Sequence, residues 1–167
     1  LLFHGTKVFN YLGIFSNGLK IAPPEAPSTG YLFGKGLYFA DMFSKSINYC
    51  DNFYDKDTKK NYSYILLCEV VVGKAYTSKT TPLGLEFDKS FLNEGYNSFK
   101  STSYQGPNLN KNFITNNGIT VPLGTTEDYG IRNMKINDVN NSCIITEYPE
   151  YVVYDTSQVV IRYIVKM

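Results

Sequence analysis

The 167 residues are the size of one domain and long enough to bury a sizeable core. A hydrophobic fraction of 43% against 19% charged residues places the chain among folded globular sequences and excludes the disordered class. A net charge of +1 excludes a broad electrostatic nucleic-acid surface on this domain, and no apolar run approaches the ~18 residues that would span a bilayer.

In chain order, Leu1 to Gly5 read as a strand entered without preamble, lacking the basic start and long apolar stretch of a signal peptide. Val8, Leu12, Phe15 and Leu19 then keep near-helical spacing, and Gly18 is a natural helix stop. Residues 22–30 carry three prolines and predict a stiff surface loop. Residues 36–40 predict a short strand, with Asp41 capping a helix through about Cys50. Residues 63–72, almost continuously apolar and β-branched, predict a central strand covered on both faces. The polar stretch 77–118 predicts a long irregular segment, the kind that more often serves function than connection. Strands are expected near 143–147, 150–155 and 158–165. Without regular strand–helix alternation, the fold class is α+β.

Several motifs fail on inspection. Gly34-Lys35-Gly36 lacks a third glycine at position 39, where Phe39 stands, and precedes a strand; it is no dinucleotide fingerprint. A P-loop would need Ser or Thr where Gly36 stands. One histidine leaves no multi-histidine metal site, and there is no GxSxG elbow. Cys50, Cys68 and Cys143 form neither a CxxC motif nor a disulfide framework, which predicts a reducing, intracellular setting. The sequons at Asn61 and Asn140 are chance matches in an asparagine-rich chain.

Leu2-Phe3-His4-Gly5-Thr6, the run from Gly18 through Gly30-Tyr31-Leu32-Phe33-Gly34-Lys35-Gly36-Leu37-Tyr38-Phe39-Ala40-Asp41-Met42, and Ser44-Lys45-Ser46-Ile47-Asn48-Tyr49-Cys50 are followed by Val121-Pro122-Leu123-Gly124 and Glu150-Tyr151-Val152-Val153-Tyr154-Asp155. In this order they resemble the catalytic domain of the poly(ADP-ribose) polymerases. The resemblance covers most of the chain and thins between 74 and 118. It implies an ADP-ribosyltransferase-like α+β fold: mostly antiparallel mixed sheets and a few short helices around an NAD-binding cleft. Residues 1–167 would form a single catalytic domain lacking its N-terminal portion, which would leave the opening strand without a partner on one side.

The resemblance places the family's His-Tyr-Glu triad on His4, Tyr38 and Glu150. Breaking the nicotinamide–ribose bond leaves an oxocarbenium-like centre, which a carboxylate stabilises. It implies that Glu150 binds the ribose 2′-hydroxyl and orients the acceptor, while His4 holds the adenosine ribose. A lone histidine is otherwise most often a core residue satisfied by backbone. Gly5, Ser46 and Tyr49 fall where the family builds its nicotinamide pocket; Ser46 and Tyr49, three apart, share a helix face. Thr6, Asn10, Gly30 and Tyr31 fall along the adenosine half, with Lys20 where an arginine is common. Lys45 and Tyr148 fall on the acceptor side. The acceptor loop Ser101-Thr102-Ser103-Tyr104-Gln105-Gly106-Pro107 departs from the common pattern, so acceptor preference transfers least.

The implied activity is transfer of ADP-ribose from NAD⁺, a substrate and not a bound metal-type cofactor, to protein acceptors and growing chains, with automodification possible in the family. The alternatives are a mono(ADP-ribosyl)transferase with a restrictive acceptor loop and a silent module that binds NAD⁺ or ADP-ribose. The resemblance further implies a nuclear protein of the DNA damage response, with nucleic acid met only through other domains, no membrane and no metal.

Overall fold

The protein is described by a computed structural model covering residues 1–27, 30–78, 89–131 and 145–167. Ser28, Thr29, Cys143 and the beginning of the strand expected at 143–147 lie outside the described residues. The elements are β1 (Leu2–His4), α1 (Asn10–Asn17), β2 (Leu37–Phe39), α2 (Phe43–Ser46), β3 (Phe53–Asp55), β4 (Lys60–Tyr62) and β5 (Tyr64–Val70). They continue with β6 (Ala75–Ser78), β7 (Ser98–Ser101), β8 (Gln105–Pro107), β9 (Phe113–Ile114), β10 (Thr120–Val121), β11 (Thr126–Asp128), β12 (Tyr151–Val153) and β13 (Val159–Lys166). Among the described residues no helix is long and apolar enough to cross a membrane.

Two sheets carry the fold. One runs β1-β5-β13, all antiparallel; the other runs β2-β12-β7-β6, antiparallel except for the parallel β6–β7 pair. Three two-stranded ribbons complete a mostly antiparallel α+β architecture. The apolar run at 64–70 does become a central strand: Ile65 on one face and Leu66 and Cys68 nearby are fully buried. Burying each large aliphatic side chain there contributes ~1.5–3 kcal/mol. Leu66 and Cys68 join Leu2, Leu19, Phe39 and Val153 in one core cluster, while Phe33, Phe91, Phe99 and Val152 form a second.

The opening strand is not left bare. Phe3 exchanges both main-chain bonds with Ala40, Phe3 N–H to Ala40 O at 2.8 Å and Ala40 N–H to Phe3 O at 3.0 Å, which joins the two sheets at the point where the cleft opens. β1 remains the end strand of its sheet, bridged on its outer side at Phe3.

Helix α1 ends where Gly18 predicts, its N–H reaching Ile14 O at 2.7 Å with φ of +74°. Its buried side differs from the expected stripe, however. Leu12 is 80% exposed and Phe15 53%, while Tyr11 is buried, donating its hydroxyl to Tyr64 O and packing on the Tyr64 ring. A long side chain whose polar tip finds a carbonyl outcompetes a leucine one position away. Asp41 does not cap α2. Its carboxylate turns inward to accept from Tyr151 Oη at 2.9 Å, and α2 tightens into a 3₁₀ turn over Ile47–Tyr49.

The stretch expected to be irregular contains β7, an interior strand. Its sequence, Ser98-Phe99-Lys100-Ser101, shows one apolar residue, yet Ser98, Phe99 and Ser101 are all buried. The serine hydroxyls are paired: Ser98 donates to Val72 O at 2.7 Å, and Ser101 receives the Glu150 N–H at 2.8 Å. Polar side chains with partners can fill interior positions that hydrophobic patterning does not flag. Of the strand expected near 143–147, the described part is a single parallel bridge, Thr146 to Ser103.

Candidate active site

A cleft of about 1000 Å³ lies where β1, β2, α1, α2 and the start of β12 meet. His4, Gly5, Thr6, Asn10, Lys20, Gly30, Tyr31, Tyr38, Lys45, Ser46, Tyr49 and Glu150 all line it; Tyr148, half-buried, does not. Three segments far apart in sequence are thus gathered by sheet pairing. β12 pairs antiparallel with β2, Val152 opposite Tyr38, which sets Glu150 close to the end of the strand that carries Tyr38.

His4 Nδ1 lies 2.8 Å from Tyr38 O. A carbonyl can only accept, so Nδ1 carries the proton and Nε2 is the acceptor. Desolvation lowers the imidazole pKa, against the opposing pull of the Tyr38 carbonyl, so the ring is neutral at physiological pH. It can therefore accept a hydrogen bond from a hydroxyl in the cleft.

Tyr38 is a wall and a brace. Its hydroxyl donates to Gly34 O and accepts from Phe33 N–H, both at 2.8 Å, closing the turn that precedes β2. Burial drives its pKa up, with the Glu150 charge adding to the shift, so the phenol stays protonated and offers a ring face.

Gly5 packs against α2 so closely that a Cβ there would sit 1.8 Å from Ser46 O. No hydrogen bond reaches the Gly5 N–H or C=O among the described residues, leaving one donor and one acceptor side by side. Ser46 Oγ donates to Phe3 O at 3.0 Å, and Tyr49, 53% exposed, presents its ring at the mouth. In the 3₁₀ turn residues i and i+3 eclipse, so Ser46 and Tyr49 do share one side. The combination sets a main-chain donor and acceptor, a hydroxyl and an aromatic ring along one side of the cleft.

Glu150 is buried, and Lys45 Nζ stands 2.6 Å from its Oε1. Burial opposes the Lys45 charge, but the hydrogen bond and charge of Glu150 outweigh it and raise the ammonium pKa. Oε2 is left for a hydroxyl. The ammonium also lies 5.8 Å from the Tyr49 ring centroid, linking the carboxylate to that side of the cleft.

The other wall is looser. Asn10 Nδ2 donates to Thr6 Oγ1 at 2.8 Å, and Asn10, Lys20 and Gly30 are exposed. The proline loop beside them is held by Lys35, whose ammonium donates to Pro23 O (2.6 Å), Pro24 O (2.5 Å) and Ala26 O (2.6 Å). Tyr31 leans on Tyr38, their centroids 6.2 Å apart.

Sequence reasoning missed Ile145, Thr146 and Glu147, which line the cleft beside Glu150. Glu147 Oε1 accepts from Gln105 Nε2 at 2.5 Å, and Gln105 N–H bonds Glu147 O at 3.1 Å. No motif marks them. They arrive there because the segment runs parallel to residues 101–105 through main-chain bonds that any residue type can make.

Comparison with known proteins shows the family. The family model of the poly(ADP-ribose) polymerase catalytic domain matches residues 1–167. Human poly [ADP-ribose] polymerase 2 is 44% identical over 167 residues, all of this chain and 26% of its own length. Poly [ADP-ribose] polymerase 2-A of Oryza sativa is 40% identical over 164 residues, 98% of this chain and 22% of its own. Poly [ADP-ribose] polymerase 1 of Gallus gallus is 41% identical over 167 residues, 100% of this chain and 14% of its own. The chain thus spans about a quarter or less of the length of these relatives. With sheet pairing and family match in accord, the chain belongs to the poly(ADP-ribose) polymerase catalytic-domain family.

Proposed function

We propose that the cleft binds NAD⁺ and transfers its ADP-ribose to protein acceptors and to growing ADP-ribose chains, releasing nicotinamide. The observation that carries this is the convergence of His4, Tyr38 and Glu150 on one cleft that Gly5, Ser46 and Tyr49 also line. In this reading the Gly5 N–H and C=O pair with the nicotinamide carboxamide, Ser46 Oγ assists, and the Tyr38 and Tyr49 rings sandwich the base. His4 Nε2 accepts from an adenosine ribose hydroxyl, and the wall of Thr6, Asn10, Lys20, Gly30 and Tyr31 receives the adenosine half.

The chemistry breaks the bond from ribose C1′ to the nicotinamide nitrogen. The electron pair leaves with nicotinamide, which becomes neutral, and C1′ gains oxocarbenium character. Glu150, through Oε2, holds the 2′-hydroxyl and stabilises that positive charge. The acceptor hydroxyl then attacks C1′, its proton passing to the carboxylate and on to water. Lys45 keeps the carboxylate placed between steps.

The proposed setting follows the family: a nuclear enzyme of the DNA damage response that modifies protein acceptors, itself among them, with nucleic acid engaged by other domains and no metal. Residues 1–167 would form one catalytic domain. Tyr148 keeps an acceptor-side role only beyond the cleft lining.

NAD⁺ turnover by the intact protein tests the reading, with Glu150→Ala alongside. A ladder of labelled product with free nicotinamide supports polymer synthesis; a single product band makes it a mono-transferase. NAD⁺ binding without nicotinamide release would reduce it to a silent binding module.

A further inference from the structure

The antiparallel ladder between β7 and β12 ends at Glu150, and it ends irregularly. Register places Tyr151 opposite Lys100, so Glu150 and Ser101 form the next pair. In such a hydrogen-bonded pair each residue normally gives its N–H to the other's carbonyl. Here Ser101 N–H does bond Glu150 O, at 2.9 Å. The return bond is different: Glu150 N–H goes to the Ser101 hydroxyl, at 2.8 Å. A single side chain has replaced the main-chain acceptor at the residue that carries the carboxylate.

That hydroxyl is itself oriented. Ser101 Oγ lies 2.7 Å from Thr146 Oγ1, and Thr146 Oγ1 donates to Thr102 O at 3.2 Å. Since Thr146 spends its proton on a carbonyl, Ser101 supplies the proton between the two hydroxyls. The order is Glu150 N–H to Ser101 Oγ–H to Thr146 Oγ1–H to Thr102 O. Ser101, Thr146 and Glu150 are all buried, so water does not readily substitute for a lost link.

We propose that Ser101, oriented by Thr146, is a positioning residue for Glu150: this hydroxyl relay fixes the main chain of the glutamate and ties it to the cleft-lining segment 145–147. Neither residue touches the reacting atoms through the relay, and both act through Glu150. The inference rests on the enzymatic reading above and adds to it a pair of residues that no motif marks.

The test uses the intact protein and reads kcat and KM for NAD⁺ together with the affinity for free nicotinamide, whose proposed site at Gly5 and Ser46 shares no hydrogen bond with the relay. Ser101→Ala leaves the Glu150 N–H without its acceptor; kcat is expected to fall about ten- to a hundredfold, the usual cost of misplacing a reacting group. KM should stay within about twofold, since of the contacts assigned to bound NAD⁺ only the one to the 2′-hydroxyl is disturbed. Thr146→Val, nearly isosteric, should lower kcat less, and Thr146→Ser should recover most of that loss by restoring the hydroxyl. The double variant Ser101→Ala with Thr146→Val should be no slower than Ser101→Ala alone, because both break one relay.

Wild-type kcat in Ser101→Ala would overturn the proposal. So would a fall in kcat matched by a fall in nicotinamide affinity, which marks a collapsed site, or a Thr146→Val loss that serine does not recover. A wild-type protein that binds nicotinamide yet releases none from NAD⁺ would instead refute the enzymatic reading, and the relay's purpose with it.

Discussion

The two walls of the cleft are built on different principles. On one side His4, Gly5, Tyr38 and Glu150 lie at the ends of paired strands, with Ser46 pressed against Gly5, and their atoms are fixed by ladders and buried contacts. On the other, Asn10 on α1, Lys20 just beyond its end and Gly30 in the proline loop are exposed, and one lysine ties that loop down. Groups on paired strands hold the tolerances chemistry needs; groups on a loop can follow a ligand into place. Substitutions on the first wall should therefore appear in kcat or in folding, and those on the second in KM.

The largest effect is expected at Glu150. Glu150→Gln keeps the shape but turns one accepting oxygen into a donating amide and removes the charge proposed to face C1′. Polymer formation should drop by roughly 10²–10³-fold, the equivalent of ~3–4 kcal/mol, with a milder fall in NAD⁺ hydrolysis. Parallel assays of chain length and nicotinamide release measure both. Equal losses would show that Glu150 does nothing particular for the acceptor.

Next comes Gly5. With Ser46 O only 1.8 Å from the place of a Cβ, Gly5→Ala must push α2 away from β1. Overpacking of this kind costs about 1–3 kcal/mol. A lowered Tm and weakened nicotinamide binding should accompany each other, and an unchanged nicotinamide affinity would mean the nicotinamide site lies elsewhere.

On the loop wall, Lys35→Met removes three carbonyl contacts made by a half-buried ammonium. KM for NAD⁺ should rise several-fold, about 1 kcal/mol of lost ground-state binding, with kcat and nicotinamide affinity nearly held. Proteolysis within residues 22–30 should quicken. A kcat loss without a KM change would erase the distinction between the walls.

This contrast also explains what could be read in advance. The first wall was legible because its residues sit in dense, contiguous motifs: His4-Gly5-Thr6, Tyr38 inside Gly36-Leu37-Tyr38-Phe39-Ala40, and Ser46 three before Tyr49. The strand at 64–70 announced itself by β-branched apolar residues. β7 did not, because its buried serines earn their places through the partners Val72 and Glu150, which lie far away in sequence. Tyr11 likewise displaced the leucine stripe through a bond to Tyr64 O, and Asp41 left a capping role for Tyr151. Each case turns on a polar group whose partner is remote, which local periodicity cannot register.

The smallest effect expected joins the walls at His4, between the β1 ladder and the cleft. Burial lowers the folded-state pKa of the imidazole from its ordinary 6.5. Between the two values the unfolded chain binds a proton that the folded chain refuses, so stability increases with pH across that window. The contribution is complete above the unfolded value and fades as pH falls below it. Asp41 acts in the opposite sense, since burial raises its carboxyl pKa and mild acid favours the folded form. A single acid profile therefore mixes the two. Comparing wild type with His4→Gln separates them, because Asp41 is common to both and cancels. Between pH 7.5 and 5.5 the wild-type protein should lose more stability than His4→Gln, read as a larger fall in its Tm. NAD⁺ affinity of the wild type should hold across that window and weaken only once the pH falls below the lowered folded-state pKa, where protonated Nε2 turns from acceptor to donor, while that of His4→Gln stays level. Parallel acid profiles for the two proteins would mean that the imidazole keeps its proton equilibrium through folding, and the neutral acceptor assigned to His4 would have no support.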